Sequence, residues 1–137
     1  MSWLRFERKA GKIEIFAGGA PGNFVSVPQG SWPAHNKTAK SSKGAWPKGM
    51  WTYSHTNPHA EMGLAPACHA SSYGCSGIHV FTVPGRSGMG VHAGRTFGQD
   101  DVVGGVTLGC VRVPDNAMVR INEIHATDPL LAIVVAD

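Results

Sequence analysis

The fold and the chemistry are best judged from two stretches, Val91-His92-Ala93-Gly94 and Thr107-Leu108-Gly109-Cys110-Val111-Arg112. Met89–Ala93 and Gly104–Val113, which contain them, are both predicted to be strands, and we expect the two strands to be neighbours. Neighbouring strands would bring the thiol of Cys110 beside the imidazole of His92, which stands 18 residues upstream. The pattern therefore predicts one site built from both stretches.

The residues around Cys110 suit nucleophilic catalysis. A nucleophilic cysteine needs a base, donors for an oxyanion, and often a cation that holds an anionic substrate. His92 is the candidate base, and Gly109 lets the backbone come close to a substrate. Arg112 suits bidentate carboxylate binding, or else a structural ion pair that braces the loop. The competing interpretation of Cys110 is a buried, inert core thiol.

These stretches resemble the signature of the L,D-transpeptidase catalytic domain, the YkuD-like family. That signature is a histidine in a His-Gly-like segment, followed by Ser/Thr-x-Gly-Cys-Ile/Val-Arg. The positions that fit it are His92, Thr107, Gly109, Cys110, Val111 and Arg112. Leu108 stands where the family usually has histidine, and Ala93 stands where it usually has glycine. The segment 44–53 is similar to a hairpin of the family.

The resemblance implies a mainly β, single-domain chain (1–137) with a β-sandwich or barrel-like fold and one helix after the cysteine strand. It implies that Cys110 attacks a peptidoglycan stem peptide at an L-configured centre, releases the terminal D-amino acid and forms a thioester. An amine would then give a crosslink, and water would give carboxypeptidase trimming. The backbone carbonyl of Ala93 would orient His92. Arg112, Thr107 and His79 are the candidate substrate contacts, and the competing interpretation of Thr107 is a plain strand threonine. No cofactor is implied.

Composition supports one globular domain. The chain has 137 residues, of which 42% are hydrophobic and 15% are charged, with a net charge of +3. The basic residues are scattered, so nucleic acid is not an expected partner. No apolar run approaches the roughly 18 residues that a membrane span needs. The resemblance implies action at the bacterial cell wall, periplasmic or extracellular. Residues 1–8 alternate and carry charge, unlike a signal peptide, so we expect a removed leader or another export route.

Short alternating segments separated by Gly- and Pro-rich turns predict many strands, and one amphipathic segment predicts a helix. Strands are expected at 3–8, 12–16, 24–27, 49–53, 77–83 and 130–135. A helix is expected over 114–124, with a loop over 28–45 and a long irregular insertion at about 54–77. Short strands with one helix are typical of a sandwich or barrel. Trp46, Trp51 and Tyr53 are expected to be core aromatics.

The insertion holds the remaining cysteines, Cys68 and Cys75. Three cysteines cannot all pair with one another, so this pair either forms a disulfide or stays reduced. Since the pair is distant in sequence from His92 and Cys110, we expect a bridge to affect stability and not chemistry. With His69 and His79 the cysteines match no strong zinc spacing, and no metal is predicted.

His79 alternates with Ile78 and Val80, and it is expected either to line the cleft beside His92 or to face solvent. The other histidines, His55, His59 and His125, are expected at the surface or in loops.

Two other functions compete with an L,D-transpeptidase. One is another cysteine peptidase, such as a cell-wall amidase, in which the cysteine usually precedes the histidine. The order here is His92 and then Cys110. The other is a cell-wall binding module that uses the 54–77 loop and keeps Cys110 as a structural residue.

Overall fold

The computed structural model describes residues 1–23, 25–36, 44–58, 68, 71–94 and 110–137. The strands in these residues are β1 (Ser2–Glu7), β2 (Lys12–Ala17), β3 (Val27–Pro33), β4 (Gly49–Asn57), β5 (Ile78–Phe81), β6 (Gly90–His92), β7 (Val111–Arg112) and β8 (Leu130–Ala136). The helix α1 spans Asp115–Thr127. No helix in the described ranges is long and apolar enough to cross a membrane.

All eight strands belong to one sheet in the order β3-β2-β1-β8-β4-β5-β6-β7. The sheet curls until its two ends meet, because His35, just after β3, pairs with Arg112 of β7. The His35 N–H donates to the Arg112 carbonyl (3.1 Å), and the Arg112 N–H donates to the His35 carbonyl (2.9 Å). This seam makes the sheet barrel-like, and the predicted mainly β, barrel-like fold is confirmed.

Alternation places the core on one face of the first hairpin. Leu4 and Phe6 of β1 lie opposite Ile15 and Ile13 of β2, and all four side chains are buried. β8 then pairs in parallel with β1 and adds Ile133 to the same core. Each of these strands was predicted, because a strand with one buried face shows period-2 alternation in its sequence.

Helix α1 follows the cysteine strand, as predicted. Pro114 precedes its first turn in an extended conformation, and Asp115 lies at the positive end of the helix dipole. The buried face consists of Ala117, Met118, Ile121 and Ile124. The helix continues past the predicted end at residue 124 to Thr127. Pro129 disfavours helical geometry at Asp128, which ends the helix there.

Two predicted boundaries are wrong. The third strand was expected at 24–27 and a loop at 28–45, but β3 spans Val27–Pro33. Most of its residues are exposed, so the segment carries no apolar alternation, and its order comes from pairing with β2. The insertion was expected to start at residue 54, but β4 continues to Asn57 and pairs there with Ile78. Much of the remaining insertion, 59–67 and 69–70, lies outside the described residues.

Candidate active site

The two motif strands are direct neighbours. β6 and β7 run in parallel, with Val91 beside Val111 and His92 beside Arg112. Both valines are fully buried in the core. Because side chains alternate along a strand, His92 and Arg112 point to the opposite face. Continuing the alternation back by one residue puts Cys110 on the face of Arg112. The structure therefore brings His92, Cys110 and Arg112 to one face of the sheet.

His92 is held in a defined orientation. Only 2% of it is exposed. Its Nδ1 donates a hydrogen bond of 2.5 Å to the backbone carbonyl of Ala93. Since a carbonyl oxygen only accepts, the proton of the neutral ring is on Nδ1, and Nε2 carries the lone pair that a base requires. The ring of Tyr73 packs against the imidazole with its centroid 5.0 Å away.

Cys110 lines a cavity of about 430 Å³, together with Tyr73 and Met89. Its Sγ donates to the carbonyl of Gly88 at 3.3 Å. Burial raises the pKa of the Cys110 thiol, and the Gly90 backbone amide and the charges of Arg112 and Arg86 act in the opposite direction. Because the net shift is upward, the resting group is a thiol, and chemistry at this sulfur requires a base.

Arg112 is a buried cation within the sheet, 4% exposed. Its backbone joins β6 on one side and His35 on the other, and its Nη2 donates to the carbonyl of Ser72 at 3.3 Å. Arg112 therefore braces a neighbouring loop through the backbone carbonyl of Ser72. Thr107 and Gly109, with Leu108, lie outside the described residues.

Cys68 and Cys75 form a disulfide, with Cα atoms 5.0 Å apart. The bridge decides between the two states that the sequence left open, and it removes two thiolates from any zinc site. Within the ranges that the structure describes, no group of His, Cys, Asp or Glu could hold a metal ion.

The disulfide-closed loop lies directly against the candidate site. Besides the Ser72 and Tyr73 contacts, its backbone packs closely on the segment after His92. A Cβ at Gly94 (φ +116°) would lie 2.5 Å from the Ser71 carbonyl, and one at Gly74 (φ +75°) would lie 2.8 Å from the Cβ of Ala93. Only glycine fits these two positions. The pair is distant from His92 along the chain, but the loop that it closes is close to His92 in the fold.

His79 is not part of this site. Ile78 and Val80 line the Cys110 cavity, so His79 between them points to the other side of β5. It is 1% exposed, its Nδ1 hydrogen-bonds Thr56 Oγ1 (2.8 Å), and its Nε2 hydrogen-bonds Asn122 Oδ1 of α1 (2.6 Å). Burial is the main reason that the pKa of His79 falls to about 4. Neither the cleft nor the solvent-facing position expected from the sequence matches this structure.

Two further expectations are settled by packing. Trp46 is fully buried, and Trp51 and Tyr53 pack against the core, as predicted. His125, which was expected at the surface or in a loop, is half-buried on α1, and its Nδ1 accepts a hydrogen bond from the Leu130 N–H (3.0 Å). Its ring lies 5.1 Å from that of Tyr53.

Neither a protein-family model nor a curated protein matches this chain. Solved structures do. The helical cell shape determining protein Pgp2 from Campylobacter jejuni matches with a TM-score of 0.68 at 11% identity, covering 98% of this chain and 46% of that one. An L,D-transpeptidase from Stackebrandtia nassauensis matches with a TM-score of 0.58 at 13% identity, covering 99% and 55%. L,D-transpeptidase 1 from Mycobacterium tuberculosis matches at 0.56 and 14%, covering 99% and 62%.

The chain has the L,D-transpeptidase fold. The predicted resemblance is thereby confirmed at the level of fold, across nearly the whole chain. The chain spans about half the length of the first matched structures.

The site of this L,D-transpeptidase-like domain includes residues that the sequence did not single out. Tyr73 and Ser72 contact His92 and Arg112, and Asn36 donates to the carbonyl of Cys110. None belongs to a motif, and each reaches the site through a long-range contact. The one available signal was the spacing of Cys68 and Cys75, which marks a short closed loop around Tyr73.

Replacing both bridging cysteines, Cys68→Ser with Cys75→Ser, should lower both stability and turnover. Opening a loop of this length should cost roughly 2–3 kcal/mol in the free energy of unfolding. Because the loop holds Tyr73 against His92 and accepts from Arg112, we expect the rate of any reaction that uses His92 and Cys110 to fall about tenfold. Melting temperatures and initial rates, measured well below the lower melting temperature, give both values.

Wild-type protein in reductant is the matched control for this double variant, and its melting temperature should equal that of the variant. An unchanged melting temperature would show that the bridge does not stabilise the fold. A destabilised variant with the wild-type rate would show that the loop does not support the chemistry.

Proposed function

We propose that this protein is a cysteine acyltransferase that acts on peptidoglycan stem peptides, as an L,D-transpeptidase or L,D-carboxypeptidase. One observation carries the proposal: His92 lies on β6, Cys110 immediately precedes the paired strand β7 on the same face, and His92 is held with Nε2 as its basic nitrogen. The L,D-transpeptidase fold supports the substrate class. Cys110 is the proposed nucleophile and His92 the proposed base.

In the proposed reaction, His92 Nε2 takes the proton of the Cys110 thiol as the sulfur attacks a carbonyl at an L-configured centre. The S–C bond forms, the C–N bond to the terminal D-amino acid breaks, and the leaving amine takes the proton from His92. A thioester remains on Cys110. An acceptor amine or water then attacks the thioester carbonyl and gives a proton to His92, the C–S bond breaks, and His92 returns the proton to the Cys110 sulfur. The product is a crosslink with an amine and a shortened stem with water. The Ala93 carbonyl stabilises the imidazolium that forms between these steps.

Gly109 and Thr107 complete the proposed site next to Cys110. In this proposal glycine at position 109 would let backbone amides approach the oxyanion of the tetrahedral intermediate, and the Thr107 hydroxyl would hydrogen-bond the loop or the substrate. His79 is left out of the proposed site because it faces α1.

The proposed activity belongs outside the cytoplasm, since peptidoglycan lies there. The Cys68–Cys75 disulfide supports the same placement, because such bridges form and persist in oxidising compartments. This support comes from the chain itself and is independent of the fold comparison.

Arg112 is proposed to bind a substrate carboxylate while it braces the Ser72 carbonyl. Arg112→Lys should therefore lower kcat/KM by about tenfold to a hundredfold, which corresponds to the loss of one charge-assisted hydrogen bond. Lysine keeps the charge but lacks the planar fork of guanidinium donors. The comparison is made on stem peptides with a free terminal carboxylate and with an amidated one.

A carboxylate role requires the Arg112→Lys defect to shrink on the amidated peptide. If the defect is the same on both peptides, Arg112 acts only as a brace of the loop. Wild-type kinetics in the lysine variant would show that the guanidinium neither binds a substrate carboxylate nor braces the loop.

The proposed function is tested by mass spectrometry after incubation with a tetrapeptide stem. We expect a thioester adduct on Cys110 and release of the terminal D-amino acid. A stem with an L-configured terminal residue is the matched substrate control and should not be cleaved. Product masses with and without an added acceptor amine separate crosslinking from trimming.

The same samples distinguish the competing functions. A binding module would retain the stem without any adduct, and its Cys110 would react slowly with thiol reagents. Another cysteine peptidase would cleave the stem at a different bond, which the product masses identify. Either result would overturn the proposed reaction.

A further inference from the structure

Asn36 connects the seam of the sheet to Cys110. It follows His35, the residue whose backbone pairs with Arg112. Its Nδ2 donates to the carbonyl of Cys110 at 2.9 Å, and its Oδ1 accepts from the N–H of Trp46 at 2.5 Å. A carbonyl only accepts and an N–H only donates, so these partners fix which way the amide is turned. One side chain is thus held at both ends.

The Trp46 end of this connection is rigid. Trp46 is fully buried, and its ring packs 5.9 Å from that of Phe81 in the core. Its carbonyl accepts a hydrogen bond from Arg8 at 3.2 Å. Asn36 therefore ties the carbonyl of Cys110 to a part of the chain that the core holds in place.

The hydrogen bond from Asn36 is important because of where Cys110 lies in the chain. It comes immediately before β7, a strand of only two residues, Val111–Arg112. Rotation about the N–Cα bond of Val111 would move the carbonyl and the Cα of Cys110 together and would displace the sulfur, so a hydrogen bond to that carbonyl opposes the displacement. The interactions of the sulfur, including its hydrogen bond to the Gly88 carbonyl at 3.3 Å, depend on its position. Displacements of about 1 Å at a reacting atom can cost about a hundredfold in rate.

We propose that Asn36 is a positioning residue for Cys110: its amide fixes the Cys110 carbonyl and thereby directs the thiol into the cavity on the His92 face. The inference rests on the proposed function in one respect, namely that Cys110 is the nucleophile. Asn36 itself acts through the Cys110 backbone and contacts no reacting atom in this scheme.

Alkylation of Cys110 by iodoacetamide, followed by intact mass from about pH 6 to about pH 10, tests this without a substrate. The other two cysteines are bridged and do not react. Asn36→Asp keeps an acceptor for Trp46 but places an oxygen against the Cys110 carbonyl. Asn36→Ala removes the donor without adding charge. We expect alkylation at neutral pH to slow by about fivefold or more in both variants, with the midpoint of the pH profile moved upward.

The two variants separate position from charge. A negative charge alone would slow Asn36→Asp and leave Asn36→Ala unchanged, and that result would overturn the inference. Asn116→Asp adds the same charge at an exposed position of α1 and should alkylate at the wild-type rate. Wild-type alkylation in folded Asn36 variants would also overturn the inference.

A measurement on the wild-type protein keeps the inference testable if the variants do not fold. The side-chain amide resonance of Asn36 should shift when Cys110 is alkylated, and an unmoved resonance would contradict the contact. If stem peptides are turned over, Asn36→Ala should lower kcat with little change in KM. If alkylation depends on Asn36 but stem peptides are not turned over, the result contradicts the proposed function and still supports the role of Asn36.

Discussion

Cys110→Ala should reduce turnover of stem peptides to below about 1% of wild type, because loss of a nucleophile normally costs several powers of ten. The fold should survive the change. Cys110 is partly exposed at the cavity wall, and alanine keeps the backbone carbonyl that accepts the hydrogen bond of Asn36. Initial rates and circular dichroism of the two proteins check both halves of the expectation.

The control for Cys110→Ala is binding of an uncleaved stem peptide, which should remain close to that of wild type. Residual turnover well above 1% would show that another group attacks the substrate. An unfolded variant would mean that Cys110 supports the structure, which is the competing interpretation of this cysteine.

His92→Ala should be nearly as damaging as Cys110→Ala, and the double variant should be little worse than either. The physical reason is that a base and its nucleophile act as one unit, so their losses do not multiply. His92 is buried against Tyr73, so alanine also leaves a cavity. His92→Gln, which keeps more of the side-chain volume, is therefore measured beside it.

The rates of the wild type, the two single variants and the double variant form a double-mutant cycle. This cycle measures the coupling between Cys110 and His92 directly. Losses that multiply in the double variant would show that the two residues work independently. The rate of Cys110 alkylation gives a second measure of the same coupling, because His92→Gln should slow it at neutral pH if His92 takes the thiol proton. Equal alkylation rates in wild type and His92→Gln would contradict His92 as the base.

Local patterns were sufficient where a segment has one buried face. The alternation in β1 and β2 and the apolar face of α1 predicted these elements, because burial imposes a period on the sequence. β3 gave no such signal, since it is an edge strand with both faces largely exposed. The extension of β4 to Asn57 was missed for the same reason, because half-exposed residues follow its apolar start.

The motif predicted the site but not its surroundings. His92, Cys110 and Arg112 were found by spacing, and pairing of their strands brings them together. The position of His79 depended on which face of β5 turns toward α1, and alternation alone leaves that choice open. Tyr73 and Asn36 carry no motif, and their contacts cross 19 and 74 residues to reach His92 and Cys110.

The sequence by itself determined a mainly β chain with its first hairpin and its helix, because these follow from local periodicity. It predicted the pairing of His92 with Cys110 from their motif and spacing. Tertiary structure alone decided the His35–Arg112 seam, the packing of the Cys68–Cys75 loop on the His92 segment, and the tie from Asn36 to Cys110. These contacts depend on how the sheet curls. That curvature results from packing summed over the whole core, and no single stretch of sequence encodes it.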